Sequence, residues 1–222
     1  LHLEEEEGSS DNYGAISYPI YQTATYAHPG AGKSTGYDYT RLQNPTREHL
    51  EKTVASLESG IDALALSTGM AAITLMMELF EPGDHLIVDS DLYGGSIRLF
   101  QNISAKNGIS FSSIDCYREN VETYINEKTK AVYIETPTNP MMNVTDIAEL
   151  SKVTKKRGIL LIVDNTFATP VNCRPFEWGA DIVTHSTSKY MDGHAAAVGG
   201  AIVDSGHFDW MAHADKLPGL CT

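Results

Sequence analysis

The stretch Ile159-Leu160-Leu161-Ile162-Val163-Asp164-Asn165-Thr166 decides the fold. Its apolar run shows no polar alternation, so it predicts a short strand that is buried on both faces, as in parallel sheets covered by helices. Further strand-like runs lie on either side of it, with helical patterns between them. The predicted strands span residues 63–66, 85–88, 109–114, 131–134, 160–163, 181–184 and 201–203.

Helices are predicted between the strands. The run 70–80 ends before Pro82, and the run 145–156 begins at Thr145 as its cap and ends at Gly158. Strands that alternate with helices in this way are typical of an α/β fold, with a mostly parallel central sheet and helices on both faces. We therefore predict that fold class.

The beginning of the chain has a different composition. Residues 1–10 contain an acidic run at 4–7 followed by Gly-Ser-Ser, which repels itself and buries nothing, so a frayed tail is predicted. Residues 12–46 are rich in Tyr, Thr, Gly and Pro and have no regular period, so they form either a functional arm or a segment that orders against a partner. We expect a tail and arm over 1–47 and one large domain over 48–222.

Composition restricts the class of protein. The 222 residues, 42% of them hydrophobic, suffice for one sizeable core. A formal net charge of -13 repels phosphate backbones and anionic membrane surfaces, so neither nucleic acid nor a membrane is an expected partner. The apolar runs are short and broken by charge or Gly, which predicts a soluble protein. The 3 cysteines are odd in number and far apart, which favours the reducing cytoplasm. The 8 histidines show no HExxH pattern, so no metal site is expected.

Several candidate side chains follow the predicted strands, at the edge where open α/β sheets bind ligands. Thr68-Gly69-Met70 joins a strand to a helix N-terminus, where free backbone N–H groups favour a phosphate, although a purely structural turn is the commoner case. Asp164 places a carboxylate at the rim of a low-dielectric region. It is either a turn residue or the partner of a cation such as a protonated pyridine nitrogen.

Lys189 follows the next strand, within His185-Ser186-Thr187-Ser188-Lys189-Tyr190. Most lysines are plain surface residues. A lysine that is shielded from water, however, loses its proton readily and forms an imine with an aldehyde. In that case Ser186 and Ser188 are suitably placed in the sequence to hydrogen-bond a nearby phosphate.

Other candidate positions lie in loops. Tyr93, followed by two glycines, either stacks on a flat ring or packs on the domain surface. Asn139, between two prolines, is either held in a set position or part of an ordinary loop. Arg41, close to Tyr39 in the predicted arm, either clamps a phosphate or points into solvent.

The order of these motifs along the chain is specific. From about Tyr13 to the end, the sequence resembles the Cys/Met metabolism family of pyridoxal-phosphate (PLP) enzymes, the γ-family of fold type I. The motifs that carry the resemblance are Tyr-x-Arg with Asn-Pro-Thr (39–46), Thr-Gly-Met-Ala-Ala (68–72), Tyr-Gly-Gly (93–95), Glu-Thr-Pro-x-Asn-Pro (135–140), Val-Asp-Asn-Thr (163–166), and Ser-x-Ser-Lys followed by Gly-His (186–194).

The resemblance implies roles around the PLP ring. Lys189 would hold PLP as a Schiff base and later move protons between substrate carbons. Asp164 would pair with the pyridinium nitrogen, Tyr93 would stack on the ring, and Asn139 would lie on the side of the ring hydroxyl.

The resemblance also implies a phosphate site and a partner subunit. The phosphate would be held by the backbone of Gly69 and Met70 together with Ser186 and Ser188. The arm would contribute to the neighbouring subunit's phosphate site through two side chains, which would make a homodimer the smallest active unit, normally paired into a homotetramer. These two side chains are Tyr39 and Arg41.

The chain departs from the family pattern at several places. Ser188 stands where much of the family has Thr, and 195–197 are alanines where many relatives carry a polar pair. Relatives continue into a smaller C-terminal domain, absent from this chain, whose arginine grips the substrate carboxylate. The sequence that stops at Thr222 is therefore expected to be incomplete and, by itself, to turn over substrate poorly.

The reaction is predicted from weaker signals. Gly95 stands where methionine γ-lyases have Cys, whereas Asp38 resembles enzymes that handle cystathionine, and 201–210 looks like the O-acetylhomoserine sulfhydrylases. The predicted function is γ-replacement on an activated homoserine, of the cystathionine γ-synthase or O-acetylhomoserine sulfhydrylase type. The alternatives are cystathionine γ-lyase or methionine γ-lyase, a non-catalytic module of the same fold, and a zinc hydrolase.

Overall fold

One mixed sheet organises the part of the protein that the computed structural model describes, which is Tyr13 and residues 15–217. The frayed tail predicted for 1–10 lies outside the described residues, as do residues 218–222. The strands are β1 (Asp62–Leu66), β2 (His85–Asp89), β3 (Ser110–Ile114), β4 (Thr129–Glu135), β5 (Leu160–Asp164), β6 (Ile182–His185) and β7 (Gly200–Asp204).

The strand order is β1-β7-β6-β5-β4-β2-β3. The pairs β2·β3, β2·β4, β4·β5 and β5·β6 are parallel, whereas β7 is antiparallel to both of its neighbours. Every predicted strand is present within a residue or two of its predicted bounds. The mostly parallel sheet is therefore confirmed.

Helices and short helical turns connect the strands. The helices are α1 (Pro45–Glu58), α2 (Gly69–Met77), α3 (Gly94–Leu99), α4 (Ile147–Arg157) and α5 (Thr169–Asn172). A π-helical segment, Phe100–Ser104, follows α3, and 3₁₀ turns cover Val121–Tyr124 and Pro175–Trp178.

Helix α1 begins inside the segment predicted as the irregular arm. The irregular arm was expected to continue through Thr46, but Pro45 already occupies the first turn of α1. Asn44 caps the helix, because its side-chain oxygen accepts a hydrogen bond from the Thr46 N–H at 2.9 Å. The predicted division between 47 and 48 therefore falls inside this helix.

Two predicted helix ends are wrong, namely the end of α2 and the start of α4. Helix α2 ends at Met77, and the expected continuation to residue 80 is a tight turn of i→i−3 bonds from Glu78 onward. The cap of α4 is Asp146 rather than Thr145, because the Asp146 carboxylate accepts the Glu149 N–H at 3.0 Å.

The core has two parts, one on each face of the sheet. Because side chains alternate along a strand, Val163 belongs to the part that packs against α1 and α4, and Ile162 belongs to the part that packs against α2 and α3. This arrangement confirms helices on both faces and a β5 that is fully buried. None of the described helices is both long and apolar enough to cross a membrane.

Candidate functional site

The carboxyl ends of the parallel strands meet at one edge of the sheet. Glu135 at the end of β4 lies beside Asp164 at the end of β5, and Asp164 lies beside Thr184 of β6. Lys189 follows β6 at the same edge, and α2 begins there after β1. The sheet topology therefore brings most of the sequence-predicted residues into one region.

The turn before α2 approaches the residues after β6 very closely. A Cβ added to Gly69 would lie 2.6 Å from the Cβ of Ser186, and one added to Gly200 would overlap the carbonyl oxygen of Thr68. Thr68 caps α2, whose first turn contains no acidic residue that would offset the positive end of the helix dipole. This geometry brings the start of α2 and its positive dipole end beside Ser186, an arrangement that suits an anion.

Hydrogen bonds fix the two serines that follow β6. The Ser186 N–H donates to Thr166 Oγ1 at 2.8 Å, which ties the end of β6 to the loop after β5. The Ser188 hydroxyl accepts the Gly199 N–H at 2.9 Å. Both serines are half-buried, so their positions are set by the surrounding backbone.

Asp164 is buried and accepts hydrogen bonds only from neutral groups. Its Oδ1 accepts the Thr166 N–H at 3.0 Å and its Oδ2 accepts the Tyr133 hydroxyl at 3.2 Å. Within residues 15–217 no Lys, Arg or His forms an ion pair with this carboxylate. A buried carboxylate of this kind suits a cationic ligand.

Tyr93 is 44% exposed and lies against the start of α2. A Cβ on Gly95 would overlap the Tyr93 ring and approach Met70 Sδ to 2.8 Å, so only glycine allows the ring to lie there. The Tyr93 N–H donates to Glu135 Oε2 at 2.7 Å. Tyr93 and Met70 are thus adjacent, as the proposed stacking and phosphate roles require.

The remaining candidates are exposed in this single chain. Lys189 is exposed, so the shielding that would favour its neutral form is not supplied by the described residues alone. Asn139 is exposed as well. The guanidinium of Arg41 lies over the ring of Tyr39, 4.7 Å from its centroid, on the irregular arm.

Glu135 is a residue of the site for which the sequence suggested no role. It is 4% exposed, and burial, followed by the charge of neighbouring Asp164, raises its pKa from the usual 4.5 to about 8. Only the pairing of β4 with β5 brings the two carboxyl groups together, so no local pattern marks it.

Glu135 should therefore make the stability of the cofactor-free protein depend on pH. Below about pH 4.5 the Glu135 carboxyl group is protonated in both the folded and the unfolded chain. Between about pH 4.5 and 8 the unfolded chain has released this proton, whereas the folded chain still holds it. The free energy of unfolding therefore falls by roughly 1 kcal/mol per pH unit in that range. Glu135→Gln should remove this loss. Urea unfolding of the wild type and the variant at about pH 5, 6.5 and 8 should show that the variant has the higher free energy of unfolding, by a margin that grows with pH.

The exposed residue Glu177 provides a matched control, because Glu177→Gln removes a carboxylate that pairs only at the surface with Arg174. This control should give no comparable trend with pH. A Glu135→Gln effect of the same size at every pH would contradict the assigned protonation.

Comparisons with known proteins agree with this arrangement. The family model described as Cys/Met metabolism PLP-dependent enzyme matches residues 1–219. The Bacillus subtilis cystathionine gamma-synthase/O-acetylhomoserine (thiol)-lyase is 51% identical over 200 residues, which cover 88% of this chain and 52% of that protein. The Coxiella burnetii cystathionine beta-lyase is 46% identical over 192 residues, covering 86% and 50%.

Solved structures are similar over the whole sheet. The crystal structure of cystathionine gamma-lyase from Lactobacillus plantarum, complexed with L-serine, matches with a TM-score of 0.86 and 39% identity. The match covers 97% of this chain and 54% of that chain. The chain thus spans about half the length of the relatives it matches.

Proposed function

Since this chain belongs to the Cys/Met metabolism family of PLP-dependent enzymes, we propose that the protein catalyses γ-replacement on an activated homoserine, forming cystathionine or homocysteine. Membership of the family confirms the predicted resemblance and its cofactor, PLP. The Bacillus subtilis relative is named as a γ-synthase and other relatives are named as lyases, so these names support trans-sulfuration chemistry, and the preference for replacement rests on the sequence of 201–210. The observation that carries the proposal of a PLP enzyme is the meeting of Gly69, Asp164 and Ser186 at one sheet edge. Lys189 follows Ser186 in the same loop.

The residues at this edge fit the groups of PLP. Because Gly69 and Gly200 lack a Cβ, the start of α2 can lie against Ser186 and the turn at Thr68 can lie against β7, which puts the positive end of the α2 dipole beside Ser186, where a phosphate would bind. Asp164 is a buried carboxylate with neutral partners, which suits a protonated ring nitrogen. Tyr93 and Asn139 are exposed at the same edge and accessible to a ring and its hydroxyl.

The mechanism follows from what each side chain can do. When bound, PLP supplies an electron sink that stabilises negative charge on the substrate carbons. The Nζ of Lys189 would hold PLP and would accept and return protons at the substrate carbons. Asp164 would keep a proton on the ring nitrogen of PLP, and the Tyr133 hydroxyl donates a hydrogen bond that holds the Asp164 carboxylate in place.

The arm would complete the site of a second subunit. Tyr39 and Arg41 are exposed in this chain, and the guanidinium of Arg41 is supported by the Tyr39 ring, which orients it for a phosphate. This exposure is compatible with the role that the resemblance implies, and we propose that both residues serve the neighbouring subunit's site in a homodimer or homotetramer. Light scattering on the intact protein should show at least a dimer, and a fully active monomer would contradict this arrangement.

A second candidate function is γ-elimination from cystathionine. Asp38 precedes Tyr39, is held by the Ser34 hydroxyl at 2.7 Å, and would enter the neighbouring site together with Tyr39. A carboxylate at that position suits the distal amino group of cystathionine. This observation makes the lyase reaction the alternative to be tested.

The choice between these reactions can be made by product analysis. The intact protein would be incubated with O-acetylhomoserine, O-succinylhomoserine or cystathionine, with and without cysteine or sulfide. We expect a homoserine ester to be consumed only when the sulfur compound is present, with cystathionine or homocysteine as the product. Release of cysteine and 2-oxobutyrate from cystathionine as the fastest reaction would instead establish γ-elimination.

A further inference from the structure

A buried polar cluster lies on the face of the sheet opposite the proposed cofactor site. It consists of Glu58, which ends α1, Asn165, which follows β5, and His185, which ends β6. Glu58 and Asn165 are each 0% exposed and His185 is 1% exposed. The cluster packs on the side of α1, whereas Asp164 turns to the opposite face and meets Tyr133.

Glu58 joins the ends of two neighbouring strands. Its Oε1 accepts a hydrogen bond from Asn165 Nδ2 at 2.7 Å and lies 2.5 Å from His185 Nε2, where the ring N–H donates to it. The three residues are far apart in sequence, so only the folded sheet assembles them. One carboxylate oxygen thus bridges β5 and β6 at their carboxyl ends.

Burial of these three polar side chains costs free energy. Glu58 lies at the C-terminal end of α1, where the helix dipole disfavours a carboxylate and no basic residue occupies the last turn. Within the described residues, Glu58 Oε2, His185 Nδ1 and Asn165 Oδ1 have no hydrogen-bond partner. Apolar replacement of buried charged groups is often neutral or stabilising, so stability alone does not explain the cluster. Such departures from local rules are concentrated at functional sites.

Each partner of Glu58 is adjacent in the chain to a residue of the site. Asn165 follows Asp164, the proposed partner of the ring nitrogen, and His185 precedes Ser186, the proposed phosphate ligand. A shift of either strand end would therefore change the separation between the carboxylate and the hydroxyl that hold opposite ends of the cofactor.

We propose that Glu58 is a positioning residue that holds Asn165 and His185 and thereby sets the separation between Asp164 and Ser186. The proposal rests on the proposed function, because it concerns the same PLP site. Glu58 does not touch the cofactor. It acts through the two strand ends on the affinity for PLP and on the polarisation of its ring.

The test is the substitution Glu58→Leu in the intact protein. Leucine fills a similar volume but leaves Asn165 and His185 without their shared acceptor. We expect PLP to bind about 10-fold more weakly or worse and the visible absorbance of the bound cofactor to change, as when a supporting residue is removed from a metal site. PLP titrations followed by absorbance measure both effects, and thermal unfolding of the cofactor-free form measures stability separately.

Two further variants make the result specific. Glu58→Gln keeps an acceptor oxygen in the same place, so it should restore most of the affinity. Asp181→Asn is the matched control, because Asp181 is also a buried acid, accepting the Leu161 N–H at 2.8 Å, but it lies at the opposite edge of the sheet. That variant should alter stability without altering PLP affinity or the spectrum.

Two outcomes would be decisive against the proposal. Wild-type affinity and an unchanged spectrum in Glu58→Leu would overturn it, while leaving the proposed function intact. If Glu58→Leu does not fold, Asn165→Ala takes its place, and an unchanged affinity and spectrum there would overturn it equally. A wild-type protein that binds no PLP would instead refute the proposed function itself.

Discussion

Replacement of Lys189 by Ala should remove the visible absorbance that PLP gives the protein and lower turnover by about 1,000-fold or more. The loss follows because the same amine anchors the cofactor and transfers protons at the substrate carbons. Absorbance spectra after saturation with PLP and steady-state rates on the preferred homoserine ester measure the two effects. Lys152→Ala, which removes an exposed lysine paired with Glu149, should change neither.

The Lys189 result also separates the enzyme from a non-catalytic module of the same fold. A wild-type protein that stays colourless with added PLP would favour the module. A visible band that persists unchanged in Lys189→Ala would show that another residue binds the cofactor. Where PLP is bound, mass spectrometry after borohydride reduction would identify the lysine that carries it.

The inactive Lys189→Ala subunit can also test the arm. If Arg41 acts in the neighbouring site, a mixture of Arg41→Ala and Lys189→Ala subunits contains mixed dimers with one intact site. Random reassociation makes half of the dimers mixed, so activity should return to about a quarter of the wild-type value. Activity no higher than that of the parent variants would indicate that Arg41 serves its own subunit.

Asp164→Asn should produce the second large loss, about 100-fold or more in turnover, which corresponds to roughly 3 kcal/mol for breaking a buried charge pair. The amide preserves the size of the side chain but cannot hold a proton on the ring nitrogen by charge. Substrate would still bind, so the effect should fall on kcat more than on KM. Steady-state kinetics with saturating PLP separates the two parameters.

Asp89→Asn is the matched control for Asp164. Asp89 is also a buried acid in the last position of a parallel strand, but β2 is separated from β5 by β4. Burial raises the Asp89 pKa to about 6, so its amide variant should tend to stabilise the protein near neutral pH and leave turnover unchanged. Equal losses in the two variants would point to a general effect of altering the sheet edge.

Local sequence signals were enough to locate the strands and the edge at which they end. The apolar run that ends at Asp164 was informative because it is short and contains β-branched residues, which favours a strand covered on both faces. The structure shows that all five residues of β5 are buried. Helix ends were harder: Thr145 and Asp146 are both good caps, and only the position of the backbone decides between them. The start of α1 was missed because its first turn lacks apolar periodicity.

Long-range contacts could not be predicted from any local pattern. Glu58 lies 107 residues from Asn165 and 127 from His185, and their hydrogen bonds exist only because α1 packs beside the ends of β5 and β6. Glu135 likewise acquires its raised pKa from burial in the folded sheet and, after that, from the charge of Asp164 on the neighbouring strand. Residue type alone marks these groups as polar, and tertiary structure alone makes them buried.

The antiparallel placement of β7 has a consequence for how the protein is made on the ribosome. In the described sheet β1 pairs only with β7, so the first strand synthesised has no neighbour until residues 200–204 have emerged. The turn at Gly69 and the serine at 186 are brought together through this late strand. Nascent chains must therefore keep β1 unpaired until those residues have been synthesised, which exposes an edge to aggregation and gives chaperones an interval in which to act.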